Sequence, residues 1–279
     1  MRHALILLCG ALLMLFFTEY GTGENDEALI SVPVSNVVSE PETGSSLETQ
    51  CVMGERIEVI EVRGDWTRIV ALEQPSRKDE GGYPGWVYSR NISFTEQSKP
   101  VMLVDDAERV YDEEKRIECT LLLGSRVDLL GYVGNTAHIR LPNGTTGYVR
   151  AESVSTGSLE RSAESVISHI YNFLGVGYLW GGTTPYGFDC SGLLYRVGKV
   201  HGYDLARDSS DQAFQGTEVK SPQRGDFVFI GQNSRVTHVA LYLGKGEMIH
   251  AVGFSGGSMV TVSKLSDYAD SVISYRRIF

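Results

Sequence analysis

The sequence predicts an α+β fold, in which two similar all-β units precede a domain of helices packed on an antiparallel sheet. Three observations predict it: a repeat within the first half, a change of character near Thr156, and a run of strand-like segments towards the C-terminus. With 279 residues and 42% hydrophobic content, the chain is long enough for two or three domains with their own cores. Its net charge of −10 argues against a nucleic-acid partner, which would need a basic face.

The pattern of residues 1–23 predicts a signal peptide. Met1-Arg2-His3 gives a basic start, and the apolar stretch over residues 4–17 is short for a membrane span. Cys9 lies too early in that stretch for a lipidated cysteine, so a lipid anchor is disfavoured. We therefore expect an exported protein, periplasmic or extracellular, with no stable membrane span.

A sequence repeat predicts two related β-modules, at residues 24–95 and 96–155. GERIEVI at residues 54–60 matches GSRVDLL at 124–130 at an offset of 70, whereas GWV at 85–87 matches GYV at 147–149 at an offset of 62. Short alternating strands between glycines are typical of a small antiparallel barrel, and the pattern resembles bacterial SH3-like modules. The eight extra residues of the first copy, around EQPSRKDEGGYPG, either shape a groove or form an ordinary surface loop.

Residues 156–279 predict the third domain. Thr156 or Ser158 can cap a helix over residues 159–174, and a second helix begins at Cys190 after a glycine-rich turn and ends before Gly202. Strands are predicted at residues 227–230, 238–243, 247–252, 259–263 and 272–278. Helices followed by strands indicate an α+β arrangement rather than a doubly wound one.

Cys190 is the candidate nucleophile, with a small buried core residue as the alternative. At a helix start, unpaired backbone N–H groups and the helix dipole favour a thiolate. Without the signal peptide the chain has three cysteines. Cys51 and Cys119 either pair with each other or, as we favour, are core residues of separate modules. Cys190 is the remaining thiol in both cases.

His238 and His250 are the candidate partners of this thiol, because they flank a predicted hairpin, HVALYLGKGEMIHAV. A three-residue loop at residues 244–246 places Ala240 opposite His250 and both imidazoles on one face. A two-residue loop reverses the side-chain parity and separates them. On one face, His238 can accept the thiol proton while His250 orients it.

Five motifs mark this domain: YLWGG at residues 178–182, FDCSG at 188–192, RGDFVF at 224–229, THVALYLG at 237–244 and MIHA at 248–251. Together they resemble the NlpC-type papain-like cell-wall peptidases. The resemblance implies a papain-like domain with Cys190 as nucleophile, His238 as base and His250 as third polar residue, without a cofactor or metal. It also implies hydrolysis of the γ-D-glutamyl bond to a diamino acid in peptidoglycan stem peptides.

The two upstream modules narrow the resemblance to members that act on stem peptides or muropeptide fragments with a free L-Ala amine. The residues that this likeness places at the substrate are Tyr178, Trp180, Asp189, Ser191, Asp208 and Ser209, with Glu48 and Tyr88 from the first module. Asp189 is the first choice for the amine, because a buried ammonium needs a paired anion. Tyr178 is also a candidate oxyanion donor.

Three other functions stay open at this level. A thiol and two imidazoles are also zinc-ligand types, although neither a paired-cysteine nor an HExxH spacing is present. A peptidoglycan-binding adaptor would keep the same domains around an inactive peptidase-like domain. A papain-like amidase or acyltransferase would use the same three residues for a different reaction.

Overall fold

The computed structural model describes residues 26–253 and 258–279, so the predicted signal peptide lies outside the described residues. The first β-domain is a seven-stranded antiparallel sheet with the neighbour order β3-β2-β6-β5-β4-β1-β7. Its strands are β1 (Asp26–Ile30), β2 (Val34–Val38), β3 (Leu47–Val52), β4 (Arg56–Arg63), β5 (Trp66–Ala71), β6 (Tyr83–Tyr88) and β7 (Ile92–Ser93).

The second β-domain repeats this topology strand for strand, in the order β10-β9-β13-β12-β11-β8-β14. Its strands are β8 (Pro100–Leu103), β9 (Ala107–Tyr111), β10 (Ile117–Leu122), β11 (Arg126–Val133), β12 (Thr136–Arg140), β13 (Thr146–Arg150) and β14 (Val154–Ser155). A short 3-10 turn precedes the last strand in both domains, at Ser89–Asn91 and Ala151–Ser153. The sequence repeat therefore corresponds to a duplicated topology.

A close approach between strands explains why the same glycine recurs in both copies. A Cβ on Gly85 would lie 2.5 Å from the side chain of Val37 on β2. A Cβ on Gly147 would lie 2.4 Å from Val110, the equivalent position on β9. Both valines are fully buried, so any larger residue at either glycine would push the strands apart.

The C-terminal domain packs helices on a six-stranded antiparallel sheet with the order β17-β22-β18-β19-β20-β21. Its helices are α1 (Ala163–Tyr171), α2 (Cys190–Val200) and α3 (Ser209–Gln212). Its strands are β15 (Thr183–Thr184), β16 (Gly187–Phe188), β17 (Thr217–Val219), β18 (Phe227–Gln232), β19 (Arg235–Gly244), β20 (Glu247–Val252), β21 (Met259–Lys264) and β22 (Val272–Arg277), with a 3-10 helix at Leu265–Ser271. Apart from Lys199, every residue of α2 is buried, because the helix packs on the sheet and also hydrogen-bonds to the first β-domain.

Helix α1 is shorter than the sequence predicts. Ser162, rather than Thr156 or Ser158, caps it by accepting a hydrogen bond from the backbone N–H of Ser165 at 3.2 Å. The chain before Ser162 is not helical, since the N–H of Leu159 donates to the carbonyl of Val200 at the end of α2. Residues 159–162 thus tie the helices together instead of extending α1.

A buried ion network fixes the first β-domain against helix α2. The Arg196 guanidinium donates to Glu55 at 2.8 Å, and the Lys199 ammonium lies 3.3 Å from the same carboxylate. Lys199 also pairs with Glu73 at 2.9 Å. Burial opposes ionisation, but the two cations lower the pKa of Glu55 to about 2. These contacts hold the first β-domain beside the helix that begins at Cys190.

The three cysteines of the described residues are free thiols. Cys51 is fully buried in the core of the first β-domain, and Cys119 packs against the core of the second. This arrangement agrees with the separate core positions that we favour and not with a Cys51–Cys119 pair. Among the described residues, no helix is both long and apolar enough to cross a membrane.

Candidate active site

The candidate nucleophile is the first residue of helix α2, as the sequence predicts. Gly181 turns the preceding chain with a φ of +75°, and a Cβ there would lie 2.8 Å from the side chain of Leu47 in the first β-domain. Asp189 then caps the helix by accepting from the backbone N–H of Gly192 at 2.6 Å. The YLWGG and FDCSG motifs therefore bring the start of α2 close to the first β-domain.

Cys190 is buried and protonated at rest. Its side chain is 7% exposed, and the backbone N–H groups of Val239 and Ser191 point at the sulfur. Burial, reinforced by the charge of Asp189, raises the pKa of the Cys190 thiol to about 12. The lost hydration outweighs the stabilising effect of the N–H groups at the helix start, so the thiol needs a base such as the predicted His238 to take its proton.

The hairpin that carries the candidate histidines turns over two residues rather than the three predicted, since Gly244 pairs with Glu247. A β-bulge between Tyr242 and Gly244 adds one residue to strand β19. This extra residue restores the side-chain parity that a two-residue turn would otherwise reverse. Leu241 pairs with Ile249, as the predicted register requires. The predicted loop is wrong, but the shared face of the two imidazoles is retained.

His238 and His250 form a hydrogen-bonded pair that ends at a serine. His238 Nε2 lies 2.8 Å from His250 Nδ1, and His250 Nε2 lies 2.9 Å from Ser263 Oγ on strand β21. No sequence motif marks Ser263, which reaches the site only through the pairing of β20 with β21. The backbone N–H of Val239 points at the Cys190 sulfur, so strand β19 passes the thiol at the residue that follows His238. Because His238 Nε2 is engaged with His250, His238 Nδ1 is the ring nitrogen that remains to accept the Cys190 thiol proton.

Burial keeps both imidazoles neutral. It lowers the pKa of His238 to about 4 and, together with the neighbouring His238, the pKa of His250 to about 3. Each neutral ring carries one proton. With His238 protonated at Nε2, it donates to His250 Nδ1, and His250 donates from Nε2 to Ser263. This tautomer leaves His238 Nδ1 as an acceptor, which is the state that a general base requires.

A cleft of about 840 Å³ opens beside Cys190, between the first β-domain and the C-terminal domain. Seven of the eight predicted substrate residues line it: Glu48, Tyr178, Trp180, Asp189, Ser191, Asp208 and Ser209. The Trp180 side chain is 68% exposed, so its ring is available to a ligand. Burial and the nearby Cys190 raise the pKa of Tyr178, which keeps its hydroxyl protonated and able to donate.

Asp189 lines the cleft but is already fully engaged. Its carboxylate accepts from Arg207 Nη1 at 3.1 Å and Nη2 at 2.6 Å, and from the backbone N–H groups of Gly181 and Gly192. Arg207 is buried and also donates to Thr49 of the first β-domain at 2.8 Å. The assignment of Asp189 as first partner of a substrate amine is therefore corrected. Its carboxylate holds the helix start and Arg207 in place.

Tyr88 does not line the cleft, and Tyr83 takes the position predicted for it. The Tyr88 ring stacks on Trp66 with centroids 4.1 Å apart. The Tyr83 hydroxyl lies 3.3 Å from an Asp208 oxygen and 3.4 Å from Glu48. The two tyrosines stand at opposite ends of strand β6, and only the end next to the eight-residue insertion faces the C-terminal domain.

The insertion also supplies a cation that no motif marks. Lys78 lies in the loop between β5 and β6, residues 72–82, which we call the inserted loop. Its ammonium lies 2.7 Å from Glu48 and 3.7 Å from Asp208, and it hydrogen-bonds to the Tyr83 hydroxyl. Of the two alternatives for this segment, the structure favours the one in which it shapes the groove.

Metal-ligand geometry bears on the zinc alternative. Over residues 26–253 and 258–279, no group of three or more His, Cys, Asp or Glu side chains is placed to hold a metal ion. Within those residues, the thiol and the two imidazoles are therefore not arranged as a metal-binding group.

Known proteins share both the motifs and the architecture. The model of the NlpC/P60 family matches residues 175–277. A gamma-D-glutamyl-L-lysine dipeptidyl-peptidase of Bacillus subtilis is 31% identical over 252 residues, covering 85% of this chain and 83% of that protein. The chain belongs to the NlpC/P60 family. A gamma-D-glutamyl-L-lysine dipeptidyl-peptidase of Bacillus cereus is also 31% identical, over 74% of this chain and 68% of that protein.

A solved structure extends the likeness to most of the chain. The crystal structure of an NlpC/P60 family protein from Bacillus cereus superposes with a TM-score of 0.82 at 25% identity, covering 90% of this chain and 99% of that one. This NlpC/P60 protein is thus a cysteine peptidase with a papain-like domain. The two β-domains make it far richer in strands than that domain alone.

Proposed function

We propose that this NlpC/P60 peptidase hydrolyses the bond between the γ-carboxyl of D-Glu and a diamino acid in peptidoglycan stem peptides whose L-Ala amine is free. One observation carries the proposal: Glu48 of the first β-domain and Asp208 of the C-terminal domain meet at the cleft that contains Cys190. The dipeptidyl-peptidase names of the two Bacillus relatives support the same substrate class.

The first half of the reaction transfers the acyl group to the thiol. Cys190 Sγ attacks the γ-carbonyl carbon while His238 Nδ1 takes the thiol proton, because both groups are neutral at rest. The Tyr178 hydroxyl and the backbone N–H groups at the start of α2 stabilise the oxyanion. The C–N bond then breaks, and the His238 imidazolium returns the proton to the leaving amine of the diamino acid. A γ-glutamyl thioester on Cys190 is left.

The second half regenerates the enzyme. A water attacks the thioester carbon and gives a proton to His238, which passes it to the sulfur as the C–S bond breaks. L-Ala-D-Glu leaves with a new γ-carboxyl group, which loses its proton to solvent. His250 stabilises the transient His238 imidazolium through the 2.8 Å contact, and Ser263 holds the His250 ring through the 2.9 Å contact.

The acidic end of the cleft, formed by Glu48 and Asp208, selects peptides that begin with L-Ala-D-Glu and have a free amine. Glu48 and Asp208 are both about 29% exposed, so a substrate ammonium can reach them without leaving solvent entirely. Charge-assisted hydrogen bonds to an ammonium are stronger than those to a neutral amide. An acetylated L-Ala carries no charge and is therefore expected to bind more weakly.

We further propose that the two β-domains are SH3-like modules and that the protein is exported through its first 23 residues. The duplicated sheet topology supports the first point, and the basic start followed by an apolar stretch supports the second. In this view the first β-domain forms part of the substrate site, since Glu48 and Tyr83 line the cleft. The second β-domain contributes no residue to the lining of that cleft within the described residues.

Mass spectrometry of the products tests the proposal. L-Ala-γ-D-Glu-L-Lys and its diaminopimelate counterpart are incubated with the enzyme, each with a free or an acetylated N-terminus. We expect release of L-Ala-D-Glu from the free peptides and little or none from the acetylated ones. Equal cleavage of both forms would show that Glu48 and Asp208 do not form a subsite for the free L-Ala amine. Retention on insoluble peptidoglycan without any cleavage would instead support the adaptor.

A further inference from the structure

The inserted loop is anchored across the cleft to the C-terminal domain. The backbone N–H of Arg207 donates to the Pro75 carbonyl at 2.9 Å. Arg77 donates to Asp211 from its backbone N–H at 2.9 Å and from Nε at 2.7 Å, and its guanidinium lies over the Phe214 ring at 4.5 Å. These contacts of Pro75 and Arg77, immediately before Lys78, fix where the Lys78 side chain enters the cleft.

Lys78 occupies the acidic end of the cleft. Its ammonium donates to Glu48 at 2.7 Å and contacts the Tyr83 hydroxyl, and Asp208 lies 3.7 Å away. Burial opposes its charge, but the hydrogen bonds to Glu48 and Tyr83 raise the pKa of Lys78 above its ordinary value. The lysine is therefore a permanent cation there. Its side chain is 42% exposed, so it has solvent to move into without any change of the backbone.

We propose that Lys78 is a tethered ammonium that holds the amine subsite in the absence of substrate and sets its selectivity by competing with the substrate's own ammonium. This inference rests on the proposed function. A primary ammonium on a lysine and one on L-Ala offer the same donors to Glu48 and Asp208. Two cations at one pair of carboxylates repel each other, so the substrate must displace Lys78.

Competition by a tethered group has a defined effect on affinity. Because Lys78 is part of the same chain, its effective concentration beside Glu48 and Asp208 is high. Every substrate ammonium must therefore compete with the Lys78 ammonium for these two carboxylates. An acetylated peptide has no charge with which to displace it. Removing the Lys78 ammonium is therefore expected to strengthen the binding of free-amine peptides and to leave acetylated peptides nearly unchanged.

Steady-state kinetics of Lys78→Met test this point, because methionine keeps the length and apolar character of the side chain. We expect the KM for L-Ala-γ-D-Glu-L-Lys to fall about fivefold, the effect of one partly exposed ion pair, with kcat unchanged. Lys78→Arg retains the cation and is expected to behave as wild type. Lys115→Met removes the same charge from an exposed turn of the second β-domain and serves as the control. An unchanged or higher KM for Lys78→Met would overturn the proposal.

Calorimetric binding separates failure of this inference from failure of the proposed reaction. L-Ala-γ-D-Glu is titrated into Cys190→Ala and into Cys190→Ala combined with Lys78→Met. Binding that is about fivefold tighter without Lys78 supports the competition, even if no peptide is hydrolysed by the wild type. Equal binding to both proteins, or no binding to either, overturns it whatever the hydrolysis assay shows.

Discussion

The guanidinium of Arg207 meets the carboxylate of Asp189 through two hydrogen bonds of 2.6 and 3.1 Å, one residue before the candidate nucleophile. Both side chains are at least nine-tenths buried. Asp189 also caps the helix of Cys190, so its charge is required for the helix start yet raises the pKa of the thiol. Arg207 offsets that charge and links the helix start to Thr49 of the first β-domain.

Removing Arg207 is expected to cost far more stability than removing an exposed arginine. Arg207→Met leaves the Asp189 carboxylate buried without a counter-charge, which should lower the free energy of unfolding by about 3–5 kcal/mol. Arg63→Met is the matched control, since Arg63 pairs with Glu61 while 61% exposed; we expect a loss of about 1 kcal/mol or less. Urea unfolding at neutral pH measures both. Equal losses would show that the Asp189–Arg207 pair is not structurally important.

Ser263 is expected to be a positioning residue for the histidine pair. Ser263→Ala removes the acceptor of the His250 Nε2 proton and should lower kcat about fivefold, the worth of one hydrogen bond, with KM unchanged. Ser263→Thr keeps the hydroxyl and should retain activity. The control is Ser266→Ala, because Ser266 is an exposed serine three residues further along the chain that hydrogen-bonds to Asp267. A rise in KM instead of a fall in kcat would contradict this role.

The depressed histidine pKa values make stability pH-dependent. In the folded state His238 and His250 stay neutral down to about pH 4 and pH 3, whereas unfolded histidines take up a proton near pH 6.5. The unfolded chain therefore binds more protons between pH 6.5 and 4, and stability falls as the pH is lowered through that window. Each histidine should contribute a loss of about 2 kcal/mol by pH 5.

Urea unfolding from pH 8 to pH 4.5 measures that loss. A variant with both His238→Gln and His250→Gln should lose less stability over the acid part of the range, because glutamine does not titrate. Above pH 6.5 the slopes of the two proteins should coincide. The same acid slope in both proteins would mean that the two imidazoles take up protons at the same pH in the folded and unfolded states, which would contradict the lowered pKa values.

The local part of the site can be predicted from sequence because it depends on near neighbours. Cys190 starts a helix because Asp189 caps it and glycines precede it, all within a few residues. The shared face of His238 and His250 follows from strand alternation. The loop between them was predicted with the wrong length, and a β-bulge after Tyr242 compensates for the error. Bulges leave little trace in a single sequence.

The distant part of the site could not be predicted because it depends on how domains dock. Tyr83 rather than Tyr88 faces the cleft because of the orientation of strand β6 against the C-terminal domain. The sequence around Asp189 shows no cation that would pair with its carboxylate, but Arg207 reaches it from a separate segment. Lys78 lies in an insertion whose composition does not show which surface it covers.

The rate of dipeptide release by Cys190→Ala tests the central claim most directly. The substrate is L-Ala-γ-D-Glu-L-Lys, the product is followed by mass spectrometry, and thermal unfolding confirms that each variant is folded. Cys119→Ala, which removes a thiol from the second β-domain, is the control. We expect Cys119→Ala to release L-Ala-D-Glu at the wild-type rate and Cys190→Ala, which has no nucleophile, to release none. Release at the wild-type rate by a folded Cys190→Ala would contradict the mechanism.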